Sequence, residues 1–467
     1  MTDVALSAGD KRAILIVTCS GAFLFPFMGS TVVVALPVIG VDLEMTAVEL
    51  AWVPTAFLLT SALLLVPFGR FADMRGRRRV FITGVAMYVV GGIVAWTAQT
   101  GTVLVFSRVI QGSGGAMLGS TSLAILSSAY GPGERGKALG INAASIYSGL
   151  SLGPVVGGLI TQSLGWRGVF LVQIPLGLVL LVAALAKLPA QKPITEIVPF
   201  DWKGLGAYAM FLLGLMYGLT ELPNAIGYGF VAAGVLGFLI LLRVERVSPN
   251  PLVDIELFRS NLSFALSNVA AFLNYAAIHA ASFLLSLYLQ IVTGLSPRYA
   301  GLTLLAMPVV QAVLSPMAGR LSDRIEPRVL ASAGMAVTVM GLVALTGLGT
   351  DSSLYRVVAG LALLGFGVAL FSSPNTNAVM SSVPQEKYGL GAATLSTTRQ
   401  MGMVMSMGVA MLVLNAIVGE VNVGLTPIPA FVSAIKFVFA ISAVLCCVGV
   451  VASLKRGRVH GTDTSAN

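Results

Sequence analysis

Charge is scarce in this sequence. Only 10% of its 467 residues are Asp, Glu, Lys or Arg, against about 25% in a soluble domain, which excludes an ordinary water-soluble fold. Histidine occurs twice, and no ligand-spaced group of His or Asp is present, so no metal site is expected. Cysteine occurs three times, as Cys19, Cys446 and Cys447, all in apolar runs. That pattern suits neither a disulfide framework nor a metal motif, and the three read as small core residues. No nucleophile elbow and no phosphate-binding glycine loop after a strand is found, so neither an enzyme nor an organic cofactor is expected. The 19 acids stand nearly all in loops or tails; only Glu221 comes near a helix interior.

Apolar residues make up 56% of the chain, and 52 residues are glycine, a composition suited to helices packed closely through small residues. A bilayer core needs roughly 20 apolar residues per helix. Candidate spans lie at 13–38, 50–69, 80–99, 102–128, 138–162, 168–187, 204–222, 227–242, 262–291, 298–318, 329–348, 354–378, 389–415 and 430–453. The reading is an all-α polytopic membrane protein with 14 transmembrane helices. The polar start, MTDVALSAGDKR, precedes a full-length span with no small-residue cleavage site, so the first helix is expected to be retained.

Placed on these spans, 22 of the 28 Lys and Arg fall on one set of connections and the two termini, and four fall opposite (Arg167, Arg298, Arg356, Lys436). Arg108 and Arg399 lie inside spans. This asymmetry puts both termini in the cytoplasm. The net charge of +9 is therefore a topology signal, not a nucleic-acid footprint. The expected location is the plasma (inner) membrane, as a monomer.

The chain also repeats itself. PFGRFADMRGRRRVFITGVAMYVVGG (67–92) matches PMAGRLSDRIEPRVLASAGMAVTVMG (316–341), so that Gly69, Arg70, Asp73, Gly84, Ala86 and Gly91 fall on Gly319, Arg320, Asp323, Gly334, Ala336 and Gly341. Arg108–Val109 with Gly112 recurs as Arg356–Val357 with Gly360. The expected organisation is a cytoplasmic N-terminus (1–12), a six-helix bundle (13–188), a linker carrying two extra helices (189–261), a second six-helix bundle (262–453) and a cytoplasmic tail (454–467). Duplicated halves of this kind are the architecture of secondary transporters.

Several motifs carry their own physics. In GRFADMRGRRR (69–79), Gly69 and Gly76 permit a tight two-helix turn, and Asp73 can pair with Arg70 or Arg77 or sit at a helix N-terminus. In GLSLGPVVGG (149–158), Gly149, Gly153, Gly157 and Gly158 form a small face, and Pro154 removes a backbone hydrogen bond. Arg108 and Gln111 in RVIQGSGGAML (108–118), and Arg399 in RQMG (399–402), place cations within spans, where they are expensive and face the protein interior.

With WRGVFLVQIPLG (166–177), these motifs in this order resemble the major facilitator superfamily, and within it the fourteen-helix drug:proton antiporter family. The resemblance covers nearly the whole chain. It implies a major facilitator fold, a conformational latch at Gly69, Arg70, Asp73, Gly76 and Arg77 with a second at Gly319, Arg320 and Asp323, and an antiporter seal at 149–158. Gln173 stands where the family usually has Asn. In FMGSTVVVALP (27–37), Met28 and Val33 stand where the family's first helix normally carries an Asp and an Asn.

That departure bears on coupling. A buried carboxylate has a raised pKa and exchanges a proton for a cation readily; none is offered in helix one. The ninth span carries Asn268, Tyr275, His279, Ser282 and Ser286 within about 60° of one another at helical spacing. His279 matches Ser30 in the repeat, two positions from Met28. Histidine titrates near neutrality, so His279 is the candidate proton carrier in a cavity with Arg108, Gln111, Asn268, Tyr275, Ser282, Arg399 and Met28. The alternative for His279 is a neutral side chain hydrogen-bonded inside the bundle.

The resulting expectation is a secondary active transporter: a proton-coupled exporter of small hydrophobic or amphipathic compounds working by alternating access. Two alternatives stay open. One is a transporter of a lipid, organic anion or metabolite without carboxylate-based coupling. The other is a transporter-like membrane sensor.

Overall fold

A computed structural model describes residues 7–130, 132–189, 201–248, 255–322, 324–384 and 388–457. Apart from an isolated bridge between Thr46 and Asn422, its regular structure is helical. Apolar runs of this length have no water to satisfy backbone groups in a bilayer, so each closes its hydrogen bonds within itself. The order is α1 (Ala8–Asp42), α2 (Ala47–Arg75), α3 (Arg77–Trp96), α4 (Gly101–Ala129), α5 (Pro132–Lys187), α6 (Trp202–Glu221), α7 (Ala225–Glu245) and α8 (Ile255–Ser260). There follow α9 (Leu262–Leu287), α10 (Pro297–Leu304), α11 (Ala306–Ser322), α12 (Pro327–Thr346), α13 (Leu354–Ser381), α14 (Tyr388–Ile417) and α15 (Ile428–Lys455).

Among the described residues, twelve helical stretches are long and apolar enough to cross a membrane. One of them, Lys137–Lys187 within α5, has 51 residues, more than twice what one crossing needs. It turns at Gly165, whose φ of 73° and ψ of 174° suit a residue without a Cβ. Beside that turn the Trp166 indole and the Arg167 guanidinium both donate to Asp42 Oδ2, at 2.8 and 2.9 Å. Arg167 also donates to the Ala98 carbonyl at 2.9 Å, so the turn, the end of α1 and the end of α3 are tied together. The boundary between α10 and α11 has a local cause: Pro308 has no N–H, and its ring crowds the carbonyl four residues back, at Leu304.

Chain contacts separate two compact units. The first comprises Met1–Leu43, Trp52–Phe200 and Ser296–Gly301. In it α1 packs along α5 and α3 along α4. Gly84 of α3 lies against Gly114 and Met117 of α4, where an added Cβ would sit 3.0 Å from the Gly114 carbonyl. The second unit comprises Glu44–Ala51, Asp201–Leu295 and Leu302–Asn467. There α12 packs on α13 and α9 on α14 and α15, and Gly334, the repeat partner of Gly84, lies against Gly367 and Phe371 of α13. The same glycine thus makes the same kind of helix seam in each unit.

Helices α6 and α7 pair with each other, and α6 packs on α14. Asn415 of α14 donates to the Thr220 and Leu222 carbonyls at 2.9 and 2.8 Å, satisfying acceptors left free where α6 ends. Large apolar side chains are widely exposed, among them Val179 at 70% and Val182 at 65%, as a lipid-facing surface requires. Cys19 and Cys446 are buried, but Cys447 is exposed. This corrects the expectation of three core cysteines: neighbours on a helix point about 100° apart, so burying Cys446 turns Cys447 outward.

Candidate substrate and coupling site

In the first unit the antiporter-like motif and the carboxylate-free stretch of helix one form a single seam. An added Cβ on Gly149 would collide with the Phe23 carbonyl, one on Gly153 with the Ser30 hydroxyl, and one on Gly157 would lie 2.5 Å from the Thr31 carbonyl oxygen. Ser30 Oγ donates to the Pro26 carbonyl at 2.9 Å and to the Gly149 carbonyl at 3.4 Å. Gly158 faces the backbone of Pro297, and Pro154, inside α5, lies against Gly301. Met28 is 0% exposed and belongs to the apolar core with Phe27, Phe81, Tyr88 and Leu118. The position that carries an Asp in the resembled family is therefore sealed in hydrocarbon here.

Arg108, two turns into α4, is 1% exposed. Its Nε donates to the Val53 carbonyl at 3.3 Å, its Nη1 donates to Gln111 Oε1, and its guanidinium lies 4.4 Å from the centre of the Phe57 ring. Gln111, 0% exposed, donates onward to Gln173 Oε1 at 3.3 Å. Dipoles and an aromatic face replace a counter-ion. Arg108 and Gln111 come together as expected for neighbours one turn apart, but they form a closed cluster in this conformation. The repeat does not extend to this role: Arg356 is exposed and donates to the Gly347 carbonyl at 2.7 Å.

The latch residues resolve one choice. Asp73 pairs with Arg77, Nε to Oδ1 at 3.0 Å, across the turn made by Gly76 at φ 96°. Arg77 also donates to the Ala124 carbonyl at 3.2 Å, tying the end of α2 to α4, while Arg70 is exposed and Gly69 approaches Ser120. In the second unit Arg320 is exposed, Gly319 accepts from Ser322, and Ser322 accepts from Asn377 at 3.4 Å. Asp323 lies outside the described residues.

The second unit brings the ninth-span stripe and the RQMG arginine together. Arg399 of α14, half-buried, donates through Nη2 to Thr376 Oγ1 at 2.5 Å and to the Ser372 carbonyl at 3.5 Å, and its guanidinium lies 5.7 Å from the Tyr275 ring centre. The close approach is made by Gly402, which sits against Phe272 and Tyr275, and by Ser406, which accepts from the Ala280 N–H at 3.0 Å. His279 and Ser282 follow Tyr275 along α9; all three are half-buried, and Asn268 is buried with Nδ2 donating to the Phe264 carbonyl. Ser286 is buried and accepts from Gln290 at 3.3 Å. Tyr275, His279, Ser282 and Arg399 are the expected cavity residues that are half-buried; Met28, Arg108, Gln111 and Asn268 are buried.

Sequence reasoning missed Arg456, counted there among loop bases. It is 1% exposed, donating to Asn375 Oδ1 at 2.8 Å and Ser267 Oγ at 3.5 Å. Asn375 in turn donates to the Ser267 carbonyl at 3.2 Å. The polar run SSPNTN (372–377) in an apolar span was the available signal. Glu245, 3% exposed where α7 ends, was also missed; its carboxylate and that of Asp201 flank Gly204. Every described carboxylate still stands in a loop or near a helix end.

The sequence pattern of the Major Facilitator Superfamily matches residues 18–266 and 267–465. The chain is 30% identical over 392 residues to the riboflavin transporter RibZ of Clostridioides difficile (strain 630), covering 84% of this chain and 86% of that one. It is 33% identical over 410 residues to the multidrug resistance protein Stp of Mycobacterium tuberculosis (strain ATCC 25618 / H37Rv), covering 86% and 75%. The crystal structure of a D-xylose–proton symporter superimposes with a TM-score of 0.70 at 13% identity, over 97% of this chain and 99% of that one, a likeness of fold. The chain is an integral membrane transporter, not an enzyme, and belongs to the Major Facilitator Superfamily.

Proposed function

We propose that the protein is a proton-coupled exporter of small hydrophobic or amphipathic compounds that works by alternating access. The observation that carries the reading is the glycine seam of α5 on α1, where Gly149, Gly153 and Gly157 meet backbone or Ser30. Such a seam lets each bundle move as a rigid body, and the motif that builds it resembles that of antiporters. The multidrug resistance name of one relative points the same way. The reading includes fourteen crossings: α5 divides at Gly165, and α6 joins the twelve apolar stretches. It also includes two six-helix halves flanking α6 and α7, and both termini in the cytoplasm, from the Lys and Arg asymmetry. The latch residues around Asp73 and Arg320 stabilise one conformation over the other, and cargo and proton shift the equilibrium through differential affinity.

His279 is assigned the coupling proton. It is the one histidine within a span, it is half-buried, and among the described residues its ring has no hydrogen-bond partner. The test is transport in proteoliposomes with an imposed pH gradient, using a lipophilic cation, a neutral drug and an amphipathic anion. Gradient-driven movement lost in His279→Ala and His279→Gln supports the assignment; unchanged transport and pH dependence in both overturns it. A second reading, transport without carboxylate-based coupling, is favoured by the sealing of Met28 at 0% exposure. Movement indifferent to the gradient would select it.

A further inference from the structure

Resting on the transporter reading above, we infer that the wall of the second unit where α9, α13 and α14 meet, formed by Tyr275, Thr376 and Arg399, is a subsite for the anionic head of an amphipathic organic anion, a carboxylate or sulfonate. Arg399 stands 11 residues into α14, roughly 16 Å along the helix. No described carboxylate of the second unit lies within a helix interior; those of Glu44, Glu49, Asp201, Glu221, Glu245, Glu256, Glu326, Asp351 and Glu420 stand at or near helix ends or in loops. Among the described residues the guanidinium is therefore held by neutral partners only: the Thr376 hydroxyl, the Ser372 carbonyl and the face of Tyr275.

Exposure separates it from Arg108 and Arg456. Those cations are each 1% exposed, whereas Arg399 is half-buried. Among the described residues its Nε, like that of Arg456, has no hydrogen-bond partner, and neither does the neighbouring Gln400 Oε1. A buried cation without a counter-ion is costly, and a bound anion removes that cost while a bound cation adds repulsion. Tyr275 beside the guanidinium, and Met403 one turn on and half-buried, offer flat and apolar surface for the body of the same molecule.

The test uses the full-length protein in nanodiscs and a matched pair of probes: 1-anilinonaphthalene-8-sulfonate and the neutral N-phenyl-1-naphthylamine, read by energy transfer from tryptophan. Rhodamine 6G serves as the cation. The wild type is expected to bind the sulfonate at least about tenfold more tightly than its neutral counterpart, with the cation weakest. Arg399→Gln is expected to erase that preference while leaving the neutral probe unchanged, and Arg399→Lys to keep part of it. Equal wild-type affinities for the two naphthyl probes overturn the inference, whether or not a variant folds. An equal loss of both probes in a folded Arg399→Gln overturns it too. The assay needs no pH gradient, so failed proton coupling leaves it intact. Gradient-driven transport of a neutral drug without anion preference would keep the exporter reading and reject this one.

Discussion

Replacing Gly157 by alanine inserts one methyl group into the seam between α5 and α1. The added Cβ would lie 2.5 Å from the Thr31 carbonyl oxygen, 2.8 Å from its Cα and 3.0 Å from its carbonyl carbon. All three are backbone atoms, so no side chain can rotate away. Restoring ordinary contact needs the helices to separate by roughly 0.6–0.9 Å, which strips dispersion contacts along the seam. Overpacking of this kind costs about 1–3 kcal/mol, against a helix-propensity gain of about 1 kcal/mol for alanine over glycine. The net expectation is destabilisation by up to about 2 kcal/mol, with a larger loss of transport, because the seam must hold while the bundle moves. Gly140→Ala is the control: an added Cβ there meets nothing within 4 Å, so only the propensity gain remains. Gly153→Ala is less diagnostic, because part of its clash is with the Ser30 hydroxyl, which can turn, although Ser30 Cβ at 2.7 Å and the Phe27 carbonyl at 2.9 Å would remain. Thermal unfolding of purified variants and proteoliposome transport decide the matter. A Gly157→Ala protein that melts with or above Gly140→Ala and transports like wild type would refute the packing argument.

Arg456→Ala should lower the melting temperature, because Asn375 Oδ1 and Ser267 Oγ lose a charged donor worth about 1.5–3 kcal/mol; Arg456→Met, which keeps the stem and removes the buried charge, should lose less, and the opposite order in a thermal melt would contradict this. Asn415→Ala should destabilise by about 1–2 kcal/mol and speed proteolysis at the 221–225 turn between α6 and α7; an unchanged cleavage rate would show that the two hydrogen bonds to Thr220 and Leu222 do not hold the pair in place.

The α6–α7 pair has a mechanical attachment in these contacts. α6 is joined to α14 by Asn415, by Thr220 Oγ1 approaching Met411 Sδ at 3.8 Å and by Gly408 against Met216 and Leu219. α14 also carries Arg399, so α6 braces the outer side of the helix whose other face meets α9.

Much of the architecture is local and was therefore legible in residue order. A run of about 20 apolar residues with its backbone bonds closed internally is a helix whatever surrounds it. The turn at Gly165 was foreshadowed by the gap between the fifth and sixth candidate spans, and the seams at Gly84 and Gly334 by the repeat. The pairing of Gly149, Gly153 and Gly157 with a neighbouring backbone follows from small residues at one-turn spacing, although the partner helix did not. Environment was another matter. Arg108 and Arg356 share the same short pattern, yet one is sealed and the other exposed; Arg456 follows the last span, yet is buried; Asp73 had several possible partners and took Arg77. Met28 is enclosed by Phe27, Tyr88 and Leu118, drawn from three different helices. The sequence alone determined which segments are helical and where small residues permit close approach, because those properties reside in the segment. Only the tertiary structure decided which cations are sealed, which stay open, and that Arg399 meets Tyr275, because burial and partnership depend on what distant helices present to each side chain.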